Sequence, residues 1–291
     1  MASLTGRVAV VTGAGRGLGR EHALLLAAEG AKVVVNDPDS GPAHEVVVEI
    51  IAAGGEAVAD TGRADDFAAA KNLVDTAVTA FGGLHILVNN AGITRDATVV
   101  KMTEAAWDSV VSVHMKGHFT TLHHAAAYWR DLAKSTGTPV GASVVNTSSG
   151  SGLRGNPGQL NYAAAKAGIA AMTVVAAREL ERYGVRVNAI APVARTRMTM
   201  ETPGLAEKLA VREGEFDQWH PGNVSPLVAW LAREDCKASG QLLMIRGSRI
   251  DVYDGWTVRE THEGDGRWTQ TGLDRVLSSL PDGPPKLVPS A

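Results

Sequence analysis

Three residues near the middle of the chain have the types and spacing for alcohol–ketone chemistry. Tyr162 and Lys166 stand four apart in an alanine-rich run that reads as helix, so both side chains share one face. A tyrosine alone is a poor base because its pKa is about 10. An ammonium beside it favours the phenolate and lowers that value. Such a pair could take a proton from an alcohol near neutral pH or return one to a carbonyl. Ser149 lies upstream, where the apolar run ASVVNTS ends. Its hydroxyl could bond the reacting oxygen and hold it beside Tyr162. A Tyr-x-x-x-Lys pair also arises by chance as a solvated helix pair, so its meaning depends on the elements that hold it.

Those elements alternate. Strand-like segments are RVAVVT, KVVVN, EAVA, HILVNN, ASVVNTS, VRVNAIA and QLLMIR. Helical stretches include Arg20–Glu29, Asp65–Phe81, Glu104–Ala133, Gln159–Arg182 and Val224–Ala232. The strands are short and apolar on both faces, as buried parallel strands are. The pattern predicts a doubly wound α/β sheet of about seven strands with helices on both faces, a Rossmann-type single domain.

The first strand runs into TGAGRGLG, which opens a helix. Glycines there let the backbone turn sharply and approach a pyrophosphate seated at the helix N-terminus. The spacing of Gly13, Gly17 and Gly19 is longer than the usual dinucleotide fingerprint and points to a subgroup. Asp37 ends the second strand, where a carboxylate can accept from ribose hydroxyls and repel a 2′-phosphate; it could also be a turn residue in NDPDSGP. Arg16 pulls the other way, since a cation there could greet that phosphate. The balance favours NAD over NADP. Asn89, Asn90, Ala91 and Gly92 follow the fourth strand and suit close packing beside a ribose, or form an ordinary strand-end turn. Met198, Met200 and Thr202 read either as a substrate-covering loop or as a plain connection.

Composition sets limits. The 291 residues carry a net charge of −3, 45% hydrophobic and 20% charged residues, those of an ordinary soluble globule. Nothing suggests a nucleic-acid or acidic-membrane surface. The single Cys236 forbids an internal disulfide and reads as a small buried apolar residue. No metal-ligand cluster stands out. No signal peptide, membrane span or peroxisomal Ser-Lys-Leu ending is recognised, so a cytoplasmic setting is expected.

Taken together, TGAGRGLG, NNAG, Ser149, Tyr162-x-x-x-Lys166 and the strand ending AIAP resemble the short-chain dehydrogenase/reductase family over residues 5–247. The stretches VVVNDP, WDSVVSVHMKGHF, APVARTRMT and NVSPLVAWLAREDC resemble, more narrowly, the (3R)-hydroxyacyl-CoA dehydrogenase part of peroxisomal multifunctional enzymes type 2 and bacterial relatives. The resemblance implies Tyr162 as acid/base, Lys166 as holder of the nicotinamide ribose and Ser149 as orienter of the substrate oxygen. It implies a cofactor site of Gly13, Arg16, Gly17, Leu18, Gly19, Asp37, Gly62, Arg63, Asn89, Ala91, Gly92, Tyr162, Lys166, Pro192, Val193 and Thr196. It also implies homodimers or homotetramers formed through the long helices.

Departures from the family are visible. His114 replaces an Asn that kinks the helix and holds a relay water, and is either a relay member or a buried, hydrogen-bonded histidine. Gly62 and Arg63 stand near the usual adenine-contacting Asp–hydrophobe pair. Val193 replaces a Gly after the sixth strand, and a branched side chain does not readily take φ > 0. Residues 248–291 form a C-terminal extension. Trp256 and Trp268 there could clamp it to the body or a neighbour, or it could close over a substrate. TGLDRVLSSL reads as a short amphipathic helix, and residues from Pro281 onward read as disordered. The expected activity is hydride transfer between NAD and a secondary alcohol or ketone, most simply a 3-hydroxyacyl-CoA. A hydroxysteroid dehydrogenase, an NADPH-dependent 3-oxoacyl reductase and a non-enzymatic NAD(H) sensor or scaffold are the alternatives.

Overall fold

The computed structural model describes residues 3–200, 209–211, 214–255, 257–258, 260–264 and 266–280. An eight-stranded sheet with the order β3-β2-β1-β4-β5-β6-β7-β8 forms its centre. The strands are β1 Val8–Thr12, β2 Lys32–Asn36, β3 Glu56–Asp60, β4 Ile86–Asn89, β5 Ala142–Thr147, β6 Val185–Val193, β7 Leu242–Arg246 and β8 Arg249–Tyr253. The first seven run parallel, and β8 returns antiparallel on β7.

Successive strand residues point to opposite faces, and both faces are apolar. Ala9, Val11, Val33, Val35, Val88 and Ile190 pack under helices α1 Gly17–Ala28, α2 Ser40–Ala52 and α9 Ser225–Ala232. Val10, Val34, Leu87, Val144 and Val187 pack under α3 Phe67–Phe81, α5 Gly117–Thr136 and α7 Leu160–Leu180. Trp129 on α5 is fully buried and donates to Leu84 O at 2.7 Å. Each fully buried large side chain contributes roughly 1.5–3 kcal/mol from water exclusion.

Several elements differ from the sequence expectation. Helix α2 falls in a Val-rich stretch that names no helix on propensity, yet its buried positions Ala43, Val46, Val47 and Ile50 follow helical spacing. The single helix expected over Glu104–Ala133 is divided. Helix α4 Glu104–Val111 passes through a π turn, Ser112–Lys116, into α5. A π turn adds one residue to the helical circuit and shifts the face that follows it. The compact unit reaches Tyr253, past the boundary expected at 247, because β8 completes the sheet edge; residues 254–291 form a second unit.

In the second unit, helix α10 Gln270–Leu277 is capped by Thr269, whose hydroxyl accepts from Gly272 N. The Trp268 ring lies close to Gly264 and Gly272 of the same unit. Thr202, Trp256 and residues 281–291 lie outside the described residues. Helix α6 Gly150–Arg154 precedes α7, and α8 Arg197–Met200 holds Met198 and Met200. By length and composition, Leu160–Tyr183 is apolar enough to cross a membrane. In the structure it packs against β6, α4 and α6 and buries Lys166.

Candidate active site

The strand order reverses between β1 and β4, and a crevice opens at such a point beyond the strands' carboxyl ends. The glycine turn lines one side of it. Gly13 and Gly17 have φ of 62° and 54°, a region that favours glycine. A Cβ on Gly13 would stand 2.8 Å from Ala91 Cα, and one on Gly19 would stand 2.2 Å from Gly13 O. The turn is held by Thr12, whose Oγ1 accepts from Asn90 N and Ala91 N at 3.0 and 3.1 Å. Asn90 Nδ2 donates to Thr12 O and Gly13 O. Arg16, the residue before α1, makes no side-chain cap, so the first-turn N–H groups of α1 have none from it. Leu18 anchors α1 to the core, and Thr196 lies over Gly17. This close-approach turn on a helix N-terminus fits a dinucleotide pyrophosphate.

At the next strand end, Asp37 Oδ2 accepts from Gly15 N at 3.1 Å and Oδ1 from Asp39 N at 3.0 Å. Arg16 forms an exposed ion pair with Asp39 at 2.5 Å. Asn36 Nδ2 donates to Asp60 Oδ1 and Gly62 O, which joins the ends of β2 and β3. Arg63 forks onto Asp65, and Asp65 also accepts from Ser112 Oγ at 2.8 Å. Gly62 and Arg63 thus sit on a braced strand end.

Of the expected cofactor residues, Asn89 turns its side chain elsewhere, and Val193 departs from the family's glycine turn as its branched side chain requires. The Asn89 side chain is spent in the core: Nδ2 donates to Asn146 Oδ1, and Oδ1 accepts from Thr121 Oγ1. Asn146 Nδ2 in turn donates to Thr173 Oγ1, so one amide chain ties α5, β4, β5 and α7 together. Val193 needs no left-handed backbone, since β6 continues extended through Pro192 and Val193, paired with Ile245 and Arg246.

The structure brings Ser149, Tyr162 and Lys166 together. Strand β5 ends at Thr147, and Ser149 caps α6 by accepting from Ser151 N at 3.2 Å. Lys166 is 2% exposed, donates from Nζ to Thr147 O at 2.6 Å, and holds Nζ 5.5 Å from the Tyr162 ring centroid. Ser148 Oγ donates to Lys166 O, and Gly152 packs so tightly that a Cβ would stand 2.6 Å from Ala167 N.

Burial pushes Tyr162 above its ordinary value, opposed by a hydrogen bond with Ser149 and reinforced by the charge of Asp96. Burial brings Lys166 down to about 7. Desolvation of the phenolate sets the direction of the Tyr162 shift, and the lowering expected from Lys166 is not seen in it.

His114 lies edge-on to Tyr162, with ring centroids 5.1 Å apart. Its Nε2 stands 2.7 Å from Ile93 O and 3.0 Å from Ile93 N, and a neutral ring satisfies one of these at a time. In either tautomer Nδ1 is buried without a partner. Burial first, then Lys166, holds His114 well below the usual imidazole value, so it is neutral at pH 7. The ring occupies the space over Gly92, where a Cβ would come within 2.4 Å of it.

Sequence reasoning gave no role to Thr12, Asp96, Thr147, Ser148 and Gln159, and placed Asn90 beside a ribose rather than as the brace of the glycine turn. Asn90 carried a signal, the doubled amide of NNAG at a strand end. Among the described residues no group of three or more His, Cys, Asp or Glu is placed to hold a metal ion.

A parallel sheet with a glycine turn at its switch point and a Ser–Tyr–Lys cluster beside it defines an α/β oxidoreductase that uses a nicotinamide cofactor. The chain belongs to the short chain dehydrogenase family, whose model matches residues 7–204. It is 47% identical over 282 residues to hydroxyacyl-CoA dehydrogenase ChsB1 of Mycobacterium tuberculosis, covering 94% of this chain and 88% of that one. It is 43% identical over 263 residues to peroxisomal multifunctional enzyme type 2 of Drosophila melanogaster, covering 87% of this chain and 40% of that protein. A crystal structure of a short chain dehydrogenase from Mycobacterium avium superposes with a TM-score of 0.86 at 47% identity, covering 96% of this chain and 95% of that one.

Proposed function

We propose that this chain is an NAD-linked dehydrogenase of 3-hydroxyacyl-CoA thioesters in which Tyr162 is the general base and acid. The meeting of Ser149, Tyr162 and Lys166 at the end of β5 is the observation that carries the reaction. A bound nicotinamide supplies the acceptor for the hydride. As the carbinol C–H electron pair leaves with its hydrogen, the O–H proton passes to Tyr162 and the C=O bond forms. Ser149 donates a hydrogen bond to the reacting oxygen and steadies its negative charge. Lys166, held by Thr147 O, stabilises the phenolate when charged. In reverse, Tyr162 returns the proton to the ketone. His114 enters as a neutral ring beside Tyr162, and Nδ1 is the atom it offers to a proton relay.

Two carboxylates support NAD. Asp37 stands at the end of β2, and Asp39 engages the cation that could otherwise greet a 2′-phosphate. The hydroxyacyl thioester rests on the 47% identity to a named hydroxyacyl-CoA dehydrogenase. Assembly of copies across α5 and α7 belongs to the same proposal. An open groove of about 670 Å³ there is lined by Phe119, Leu122, Ala126, Ala176 and Leu180.

The test is NADH formation at 340 nm with (3R)-3-hydroxyacyl-CoA esters of several chain lengths, run with NAD and again with NADP. A fast rate with NAD alone is expected. Turnover confined to NADP, or to sterols, would redirect the cofactor or substrate assignment.

A further inference from the structure

Gln159 stands three residues ahead of Tyr162, where α7 begins, and is 9% exposed. Its Nε2 donates to Asp96 Oδ2 at 2.8 Å. Its Oε1 accepts from Ser151 Oγ and from Asn156 Nδ2, each at 2.8 Å. Ala97 N donates to Gly158 O, and Ala97 pairs with Gln159 in a parallel bridge. One side chain thus joins three segments that meet at Tyr162: the run 93–97 after β4, the loop 149–158 that carries Ser149, and the catalytic helix.

The two ends of this amide are not interchangeable. Asp96 offers only acceptors, whereas the Ser151 and Asn156 groups on the other side donate. Asp96 therefore decides which way the amide faces. The close approach of Gly152 to α7 fixes the first half of the loop, and the second half depends on Gln159. Helix α6 spans five residues, and Gly155 and Gly158 both sit at positive φ.

We propose that Asp96 and Gln159 form a positioning clamp that sets where Ser149 stands relative to Tyr162. The inference rests on the roles given to those two residues above. Bonds at Gln159 would then be felt in catalysis, because a displacement of about 1 Å at a reacting group costs up to roughly 100-fold in rate.

Charge-swapped variants test the clamp. Gln159→Glu sets a carboxylate against Asp96 and breaks the bond. Asp96→Asn alone keeps an acceptor for Gln159. The double variant reverses the donor and acceptor of that bond, keeps both bonds from Ser151 and Asn156, and restores the net charge. Gln159→Glu is expected to lower kcat/KM at least tenfold with NADH affinity unchanged, and to speed tryptic cleavage after Arg154. Asp96→Asn removes the charge that bears on Tyr162 but keeps an acceptor for Gln159, so it should keep wild-type cleavage at Arg154. The double variant should recover cleavage fully and kcat/KM to within about threefold of Asp96→Asn. Cleavage, followed by mass spectrometry, needs no substrate, so it reads the clamp even if the thioester assignment fails. Should Gln159→Glu not fold, Asp96→Ala takes its place in both assays. A Gln159→Glu protein with wild-type kinetics and cleavage, or a double variant as impaired as the single, overturns the proposal.

Discussion

At the scale of single residues the site is built from groups held dry. Lys166 is an ammonium whose burial costs more than its bond to Thr147 O returns, which is why burial takes it down to about 7. Tyr162 moves the opposite way for the same reason, since both shifts penalise the charged form. Two buried histidines away from the reacting groups show the same effect. His22 is held by Ser225 Oγ at 2.8 Å and is brought down to about 3, as is His118. An unfolded chain takes up a proton at each of these near pH 6.5, and the folded chain does so only near 3. Stability from these sites is therefore full above pH 6.5 and is lost as pH falls through the window down to 3. At pH 5 the loss at His22 is about 2 kcal/mol relative to pH 8. The His22→Asn protein should thus show a shallower fall of unfolding free energy between pH 8 and 5 in urea melts. Parallel curves for the two proteins would show that His22 is not neutral in the fold.

At the scale of elements, the catalytic helix is placed by close approaches that only small residues allow. Gly152 of α6 faces α7 backbone, with a Cβ 2.7 Å from Lys166 C, and backbone cannot yield. Gly168 of α7 faces the far end of Met115, with a Cβ 2.6 Å from Sδ, and a methionine can turn away. Gly152→Ala should therefore lower stability by roughly 1–3 kcal/mol despite alanine's better helix propensity. Gly168→Ala should cost less than about 1 kcal/mol. Thermal melts of the pair decide it, and equal melting temperatures would contradict the packing account. These contacts also mark where sequence reasoning stops. The π turn at His114 could not be read from Glu104–Ala133, because an inserted helical residue leaves no break in apolar spacing. Asp96 and Gln159 are far apart in sequence, and a polar pair has no periodicity to betray it. The glycine turn, Ser149 and the Tyr162–Lys166 spacing were legible because each is local.

At the scale of the whole molecule, chain order does the positioning. Alternating strands and helices fill both faces of the sheet and leave one switch point, between β1 and β4. Thr12, Asn36, Asn89 and Thr147 all end strands on that side, and so the cofactor turn and the catalytic cluster share it. This much followed from apolar runs and their spacing. Strand β8 did not, since RIDVY is exposed at most positions and carries no core pattern. The central claim joins this architecture to one atom, the phenolic oxygen of Tyr162. Its most direct test is the rate of NADH formation at 340 nm from a (3R)-3-hydroxyacyl-CoA by the wild-type and Tyr162→Phe proteins, alongside NADH binding by fluorescence. The account predicts a loss of roughly 100- to 10,000-fold in kcat with NADH affinity retained. A Tyr162→Phe protein that turns over at near the wild-type rate would contradict it.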